Sequence, residues 1–584
     1  MHKYEKERCG RRAKVRVIDF KDASCRHCYK CVRHCEVKAI SVQNEQAHIM
    51  KDHCINCGHC LEVCPQNAKK FASDIDRVRG YLRQGMKVII SLAPSYLGVL
   101  EYERPGQVVA ALKKLGFYAV RETAEGAALV TAEYQKLLQA GEMSNIITTC
   151  CPSVNDLIEK YYPELVPLMA PVVSPMIAHG RLIRQIYGDD VKVVFLGPCI
   201  AKKEEAEGDE RVSGAIDAIL TFEEIVKWWE REGINLKECP SEPLGNLSPK
   251  VNQLYPVGGG IIKSIRASSV EDNYYKVSVD GLTACMELFD ELKKNEIENC
   301  FFEVNVCEGG CIKGPASDKW QRSVVRAKMD VEDQAVYREE ASEIDGSGVD
   351  MEKIFMDRRV TDMEPTEEQM EEVLHAMGKY TKEDELNCGA CGYPSCRAKA
   401  KAVFQKKAEI GMCLPHAVAQ AESMSNIVMD VTPSMILIID KELRIRECNK
   451  KAQKMLGVSR EEALERYIFE FIEPEDIVQV LDTKEQIIRK KVSLDASEMM
   501  VVESIIYIDH LESVLVTYQD VTKEEKAREQ HYHLKMETVE MAQKAIDKQM
   551  MVAQEIAGLL GETTAETKVT LSKLRDSILF EEEE

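Results

Sequence analysis

The sequence predicts a multidomain α/β protein whose chemistry rests on metal-bound thiolates, and three observations carry that expectation. First, 584 residues are too many for one hydrophobic core. Second, the 22 cysteines recur at C-x2-C spacing, which in a chain without an apolar leader reads as metal binding rather than a disulfide framework. Third, from about residue 84 short apolar runs alternate with amphipathic stretches, the texture of an α/β sheet. The hydrophobic fraction of 45% is ordinary for a globular chain, and no apolar run reaches the ~18 residues of a membrane span. A formal charge of -21 argues against nucleic acid or an anionic membrane as partner, since both select clustered Lys and Arg. Residues 1–8 lack the apolar segment of a secretory signal. A cytoplasmic, oxygen-poor setting is therefore expected, because exposed thiolates oxidise readily.

Residues 13–72 hold an internal repeat. Cys25, Cys28, Cys31 and Cys35 are answered by Cys54, Cys57, Cys60 and Cys64, each displaced by 29 positions. This C-x2-C-x2-C-x3-C run is that of bacterial two-cluster ferredoxins, in which the fourth cysteine ligates the other cluster. The pattern assigns Cys25, Cys28, Cys31 and Cys64 to one 4Fe–4S cubane, and Cys54, Cys57, Cys60 and Cys35 to a second. Pro65 follows the second run as the pattern expects, whereas Glu36 stands at the matching place in the first, a change that alters a turn without removing a ligand. Two zinc sites are the alternative, and eight cysteines at this spacing fit cubanes better.

The block 84–350 reads as α/β. Residues 86–94 and 191–197 predict buried strands ending in loops, and 156–162 and 221–230 predict helices. Functional residues on loops after strands are the usual arrangement in such sheets. Three separated segments sit in this block: Thr148-Thr149-Cys150-Cys151-Pro152-Ser153, Gly197-Pro198-Cys199-Ile200-Ala201-Lys202-Lys203, and Cys307-Glu308-Gly309-Gly310-Cys311. None is a simple metal motif alone. Together they offer four spaced thiolates, one further thiol and one lysine. Beyond them, Pro365 opens a helical pattern, and Cys388, Cys391, Cys396 and Cys413 form C-x2-C-x4-C-x16-C. Residues 365–420 thus resemble a small 4Fe–4S domain of anaerobic redox proteins, with zinc as the bland alternative. Residues 424–522 run strand, strand, helices, strands and end in Asp520-Val521-Thr522, an order that resembles a PAS sensor domain. There Cys448 reads as a packed small residue. In the tail 523–584, Val539, Ile546, Ala553 and Leu560 recur every seven residues, with Ala542, Met550 and Ile556 near a second seam. A dimeric coiled coil and a helix packed on its own chain both satisfy that pattern. Glu581 to Glu584 predict a frayed, solvated end.

The three central segments closely resemble the active-site motifs of the iron-only (FeFe) hydrogenases, and the domain order resembles the sensory members of that family. The resemblance implies an H-cluster: a 4Fe–4S cubane joined through one cysteine to a two-iron unit with CO, cyanide and a dithiolate bridge. It also implies three additional 4Fe–4S clusters, two in the ferredoxin-like region and one in the small domain. Cys151, Cys199, Cys307 and Cys311 would be the cubane ligands, with Cys311 bridging. Cys150 would be the proton donor and acceptor, a position that related cluster-assembly proteins usually lack. Lys202 would hydrogen-bond a cyanide. Ala93 and Pro94 match the apolar wall near the distal iron, followed by Ser95. Gly309 and Gly310 would let the backbone approach the cluster. Ser174-Pro175-Met176 matches a family segment. Four departures accompany these matches: Gly197 and Asn305 replace methionines, Ala170 replaces a proton-route serine, and the two route glutamates fall near Leu129 or Val130 and near Ala132 or Glu133. That relay is incomplete, so slow turnover or another proton path is expected. Cys9, Cys239, Cys285 and Cys300 read as ordinary buried residues.

The function implied is slow, reversible hydrogen oxidation and proton reduction, with the signal passed through the PAS domain. The expected partners are H2 and protons, ferredoxin or another redox partner, maturation proteins, a separate signalling protein and a second copy of the chain. The rivals are a metabolic, ferredoxin-linked hydrogenase and a non-enzymatic iron–sulfur sensor without the two-iron unit.

Overall fold

The backbone repeats what the cysteines repeat. In the computed structural model, which describes residues 17–20, 25–245, 250–267, 271–317, 323–335, 344–494, 499–557 and 564–579, left-handed backbone at His27, Tyr29 and Lys38 recurs at Asn56, Gly58 and Asn67. The displacement is the one that relates the two cysteine runs. Each half is a short helix, Lys30–Arg33 or His59–Glu62. Each half also ends alike: the Ala39 N–H donates to Cys35 Sγ at 3.3 Å, and the Ala68 N–H to Cys64 Sγ at 3.4 Å. Glu36 and Pro65 occupy the same turn, so the departure at Glu36 leaves the turn intact. Strand β1 (Ile18–Phe20) pairs antiparallel with β4 (Lys69–Phe71), and β2 (Ile40–Gln43) with β3 (Gln46–Ile49). Cys9, Leu560 and Glu581 to Glu584 lie outside the described residues.

Two parallel sheets make the central block. One has the order β6-β5-β8-β9, formed by Ala119–Glu122, Val88–Leu92, Lys192–Gly197 and Ala218–Thr221. The other has the order β10-β11-β7, formed by Tyr275–Asp280, Cys300–Asn305 and Asn145–Ile147. The inner strands β5 and β11 are buried at every residue, as parallel strands covered on both faces are, whereas the edge strand β10 is partly exposed. The helices Pro152–Tyr161 and Phe222–Arg231 lie where the sequence predicts them. At 365 the expectation shifts by one turn position. Thr366 caps the helix Glu367–Ala376 in a capping box with Gln369, and Pro365 precedes that cap rather than starting the helix.

The chain divides into two compact units, 1–416 and 417–584. The second contains an antiparallel sheet of order β13-β12-β16-β15-β14, formed by Ile445–Cys448, Met435–Asp440, Ser513–Asp520, Met499–Ile508 and Ile487–Leu494. Its core gathers Leu437, Ile439, Cys448, Ile477, Val501 and Val516, and Cys448 is buried as expected. Strand β14 was not expected; its Arg489-Lys490-Lys491 run hides the apolar alternation, and such charges are usual on an edge strand. Thr522–Ala557 is one 36-residue helix, and the helix Thr564–Leu579 comes into contact with it.

Candidate metal centre

All three central motifs end strands. Cys150 and Cys151 follow β7, Cys199 follows β8, Cys307 and Cys311 follow β11, and Ala93-Pro94-Ser95 follows β5. Parallel strands present their carboxyl ends on one side, so the two sheets deliver these loops together. Cys151 N-caps the helix Pro152–Tyr161, with Pro152 in its first turn. Burial pushes the Cys199 thiol up to about 11 and raises Cys307 and Cys311 well above the ordinary thiol range. Each of the three is raised further by the nearby Cys151. Thiols raised in this way, as at Cys199, Cys307 and Cys311, are poor thiolates unless a cation compensates them, which is the chemistry of a metal cradle. Among the described residues no three His, Cys, Asp or Glu side chains converge on a single-ion site. The buried Ser95 Oγ has no protein partner, leaving it available to a bound group.

Gly309 and Gly310 have φ of 79° and 89°. A Cβ at Gly310 would come within 2.5 Å of the Pro256 carbonyl oxygen, and one at Gly309 within 2.7 Å of Val324 Cγ1. Turn geometry and packing against the protein thus already require both glycines. At Gly197 a Cβ would meet Phe195 Cε1 at 2.6 Å, so the Phe195 ring fills the space beside a residue that replaces a methionine.

The fifth thiol is held separately. Tyr134 OH lies 3.3 Å from Cys150 Sγ and accepts from the Thr149 N–H at 3.0 Å. Either the phenol or the thiol can be the donor in the contact between them. Burial pushes Cys150 up to about 12, against the lowering effects of the Tyr134 hydrogen bond and the Lys202 charge, so the thiol is protonated at neutral pH. Lys202 Nζ donates to the Cys150 carbonyl at 3.1 Å and to Glu205 Oε2 at 2.6 Å. Ser174 Oγ, at the N-cap of Pro175–Tyr187, also donates to Glu205 Oε2, at 3.0 Å. Sequence reasoning missed Tyr134 and Glu205, since neither belongs to a motif; Tyr134 sits one position beyond Glu133. Glu133 itself is half-buried and pairs with Lys136 at 2.7 Å, while Val130 and Ala170 are fully buried. Cys239, Cys285 and Cys300 are buried, each donating to a backbone carbonyl.

In the ferredoxin-like region, Cys31 is raised mainly by burial and feels Cys64 and Cys25. Cys54, Cys57 and Cys60, raised chiefly by burial, all feel Cys35. Seven of the eight thiols are thus neighbours across the repeat. Cys28 is exposed. In the small domain Cys388, Cys391, Cys396 and Cys413 line one cavity with Tyr393 and Lys399. All described cysteines are free of disulfides.

Residues 86–315 match the family model described as iron only hydrogenase large subunit, C-terminal domain. Residues 17–65 match a 4Fe-4S dicluster domain, 384–415 an Fe-S cluster domain and 422–524 a PAS fold. The NADP-reducing hydrogenase subunit HndD of Solidesulfovibrio fructosivorans is 28% identical over 324 residues, 45% of this chain and 55% of that one. Iron hydrogenase 1 of Clostridium pasteurianum is 26% identical over 374 residues, 47% of this chain and 65% of that one. The chain thus spans less than two thirds of each of these relatives. Cytosolic iron-sulfur assembly component 3 of Rattus norvegicus is 20% identical and 72% covered, by 46% of this chain. The solved FeFe-hydrogenase HydA1 of Chlamydomonas reinhardtii superposes with a TM-score of 0.39 at 17% identity, covering 50% of this chain and 100% of that one. No helix among the described residues is long and apolar enough to cross a membrane. The chain is a PAS-containing, FeFe hydrogenase-like protein.

Proposed function

We propose that this chain is a hydrogen-sensing FeFe hydrogenase that oxidises hydrogen and reduces protons slowly and reversibly. The observation that carries the reading is the placement of Cys150 and Lys202 beside the four-thiol cradle of Cys151, Cys199, Cys307 and Cys311. The two-iron unit, when bound, supplies the metal at which hydrogen is made or split. Cys150 holds a proton at Sγ. Tyr134 hydrogen-bonds that sulfur and fixes its position. Lys202, restrained by Glu205 and the Cys150 carbonyl, offers a fixed ammonium to an anionic ligand. The side chains at the aligned relay positions do not supply an inward carboxylate, which supports slow turnover. The PAS unit supports a signalling output, with ferredoxin or another redox partner, maturation proteins and a separate signalling protein as partners in the cytoplasm.

The test is infrared spectroscopy of matured protein together with a hydrogen turnover assay. CO and cyanide bands with a low rate are expected. Absence of those bands after maturation removes hydrogenase function and favours an iron–sulfur sensor, a reading to which the similarity with iron–sulfur assembly components lends support. Bands with a rate typical of metabolic hydrogenases would sink the sensory role.

A further inference from the structure

The small domain buries a cation that forms no ion pair among the described residues. Lys399 is 0% exposed on the helix Cys396–Phe404. Its Nζ donates to the Glu409 carbonyl oxygen and lies 5.6 Å from the Tyr393 ring centroid. The thiols of Cys391 and Cys413 act on its charge, and after them the Glu409 carboxylate, which is itself held by the Asn44 and Glu45 N–H groups. Lys379, 7% exposed, lines the same cavity and donates to the Asp384 carbonyl oxygen at 2.5 Å. A buried ammonium bonded only to a carbonyl is costly unless an anion faces it. A cubane held by four thiolates is such an anion, and one-electron reduction adds one more negative charge.

Two of the cations near the ferredoxin-like thiols have a carboxylate beside them. Lys160 Nζ, which donates to the Cys54 carbonyl, pairs with Asp156 at 3.3 Å. Lys38 acts on Cys35 together with Glu36, and Glu62 acts on Cys57. Lys69, also buried, hydrogen-bonds the Cys31 thiol and acts on Cys60 as well, so its charge is shared between the two groups.

The two cradles also share a wall. Cys35 and Cys391 both pack against the apolar cluster that contains Val32, Tyr393 and Met412. A Cβ at Gly392 would come within 3.0 Å of Val32 Cγ1, and Lys38 Nζ donates to the Gly392 carbonyl at 3.0 Å. Cys413 immediately precedes the helix Leu414–Val431, which leads along the chain to β12.

We propose that Lys399 makes the cluster at Cys388, Cys391, Cys396 and Cys413 the electron-holding branch of this chain, by raising its reduction potential above those of the two ferredoxin-like clusters. One electron passes from a ferredoxin-like cubane, which is thereby oxidised, to this cubane, which is reduced, with Tyr393 between Cys35 and Cys391. The stored charge then sits on a ligand that begins the helix toward the PAS unit. The inference rests on the iron–sulfur reading of the small domain and not on turnover at the two-iron site.

The test is an anaerobic titration of the full chain carrying its iron–sulfur clusters, with dithionite and redox mediators, followed by electron paramagnetic resonance. The small-domain signal is the one lost when Cys388 and Cys391 are both changed to serine. In the wild type it is expected to be reduced at the least negative potential of the three. Lys399→Met is expected to move it to more negative potential and leave the other two in place, while Lys399→Arg restores it. A wild-type signal no higher than the ferredoxin-like ones overturns the inference, as does a Lys399→Met signal that stays put. If Lys399→Met loses iron, Lys399→Gln and the wild-type ordering decide. No step uses hydrogen, so this result stands apart from the infrared test.

Discussion

At the scale of residues, the thiol Cys150 was legible in sequence because it neighbours a ligand motif, whereas its partner was not. Tyr134 lies 16 positions upstream on the helix Ala124–Ala140, and only the fold, which sets its ring edge-on to Phe301 of β11, brings its hydroxyl to the sulfur. Cys150→Ala is expected to keep the CO and cyanide bands and lose hydrogen turnover roughly 10²–10⁴-fold, the usual worth of a positioned proton donor; infrared spectra and a turnover assay on one sample check it, and unchanged turnover would refute the assignment. Tyr134→Phe removes the hydrogen-bond partner of Sγ and strands the buried Thr149 N–H. It is expected to lower turnover roughly 10–100-fold, as loss of an orienting partner does, with iron content unchanged. A Tyr134→Phe enzyme of normal rate with a normal pH profile would assign the phenol to packing alone. Lys202 was found from its motif, but the Glu205 that holds it required the fold, because an i,i+3 carboxylate is commonplace on any helix.

At the scale of elements, repeats and strand ends were legible and clamps were not. The ferredoxin-like halves follow from spacing, since each cysteine run forces the same turns. The segment 350–360 carries no motif, yet it is pinned to the central block by charge. Glu159, fully buried on Pro152–Tyr161, accepts from Arg211 and from Arg358 Nη1 at 3.0 Å, and from the Met356 N–H at 3.0 Å. Asp209 joins the same network through Arg211 at 2.7 Å and Lys353 at 2.9 Å. Burial pushes the Asp209 carboxyl up, but Arg211 and Lys353 pull it further down, from 3.8 to about 2. A depressed carboxyl contributes stability above its unfolded value and loses it as pH falls through the folded one. Asp209→Asn is therefore expected to cost about 2 kcal/mol near neutral pH, and the difference from wild type should shrink between roughly pH 4 and pH 2. Denaturant unfolding at several pH values measures this; a penalty constant down to pH 2 would rule the ion pairs out as its source. A second clamp joins the small domain to the ferredoxin-like hairpin: Glu409 accepts from the Asn44 N–H at 2.6 Å and the Glu45 N–H at 3.1 Å. Glu409→Ala should speed hydrogen exchange at those two amides by about tenfold, corresponding to loss of a charge-assisted bond worth roughly 1.5 kcal/mol. Exchange unchanged there would assign the docking to the apolar wall alone.

At the scale of the whole molecule, the order of domains was legible because each announces itself by a different texture: cysteine runs, parallel-strand apolarity, antiparallel alternation. Association is harder to read, since a seven-residue repeat serves a partner helix in the same chain as well as one in another copy. The helix Thr522–Ala557 sharpens the question. Val539, Ile546 and Ala553 are half-buried, while Met541, Met551 and Ile556 are 64%, 68% and 55% exposed. One chain thus covers the first seam in part and leaves apolar side chains beside it in water. A second copy laid along the seam would bury those side chains, at roughly 1.5–3 kcal/mol for each large one fully covered. The homodimer is accordingly proposed, with Val539 and Ile546 at its centre. Val539→Lys combined with Ile546→Lys should convert a dimeric full chain to a monomer in light scattering at micromolar concentration, while the PAS core around Leu437 and Val516 keeps its thermal unfolding. A wild type that is already monomeric would assign the repeat to packing within the chain, and a variant that stays dimeric would place the interface elsewhere.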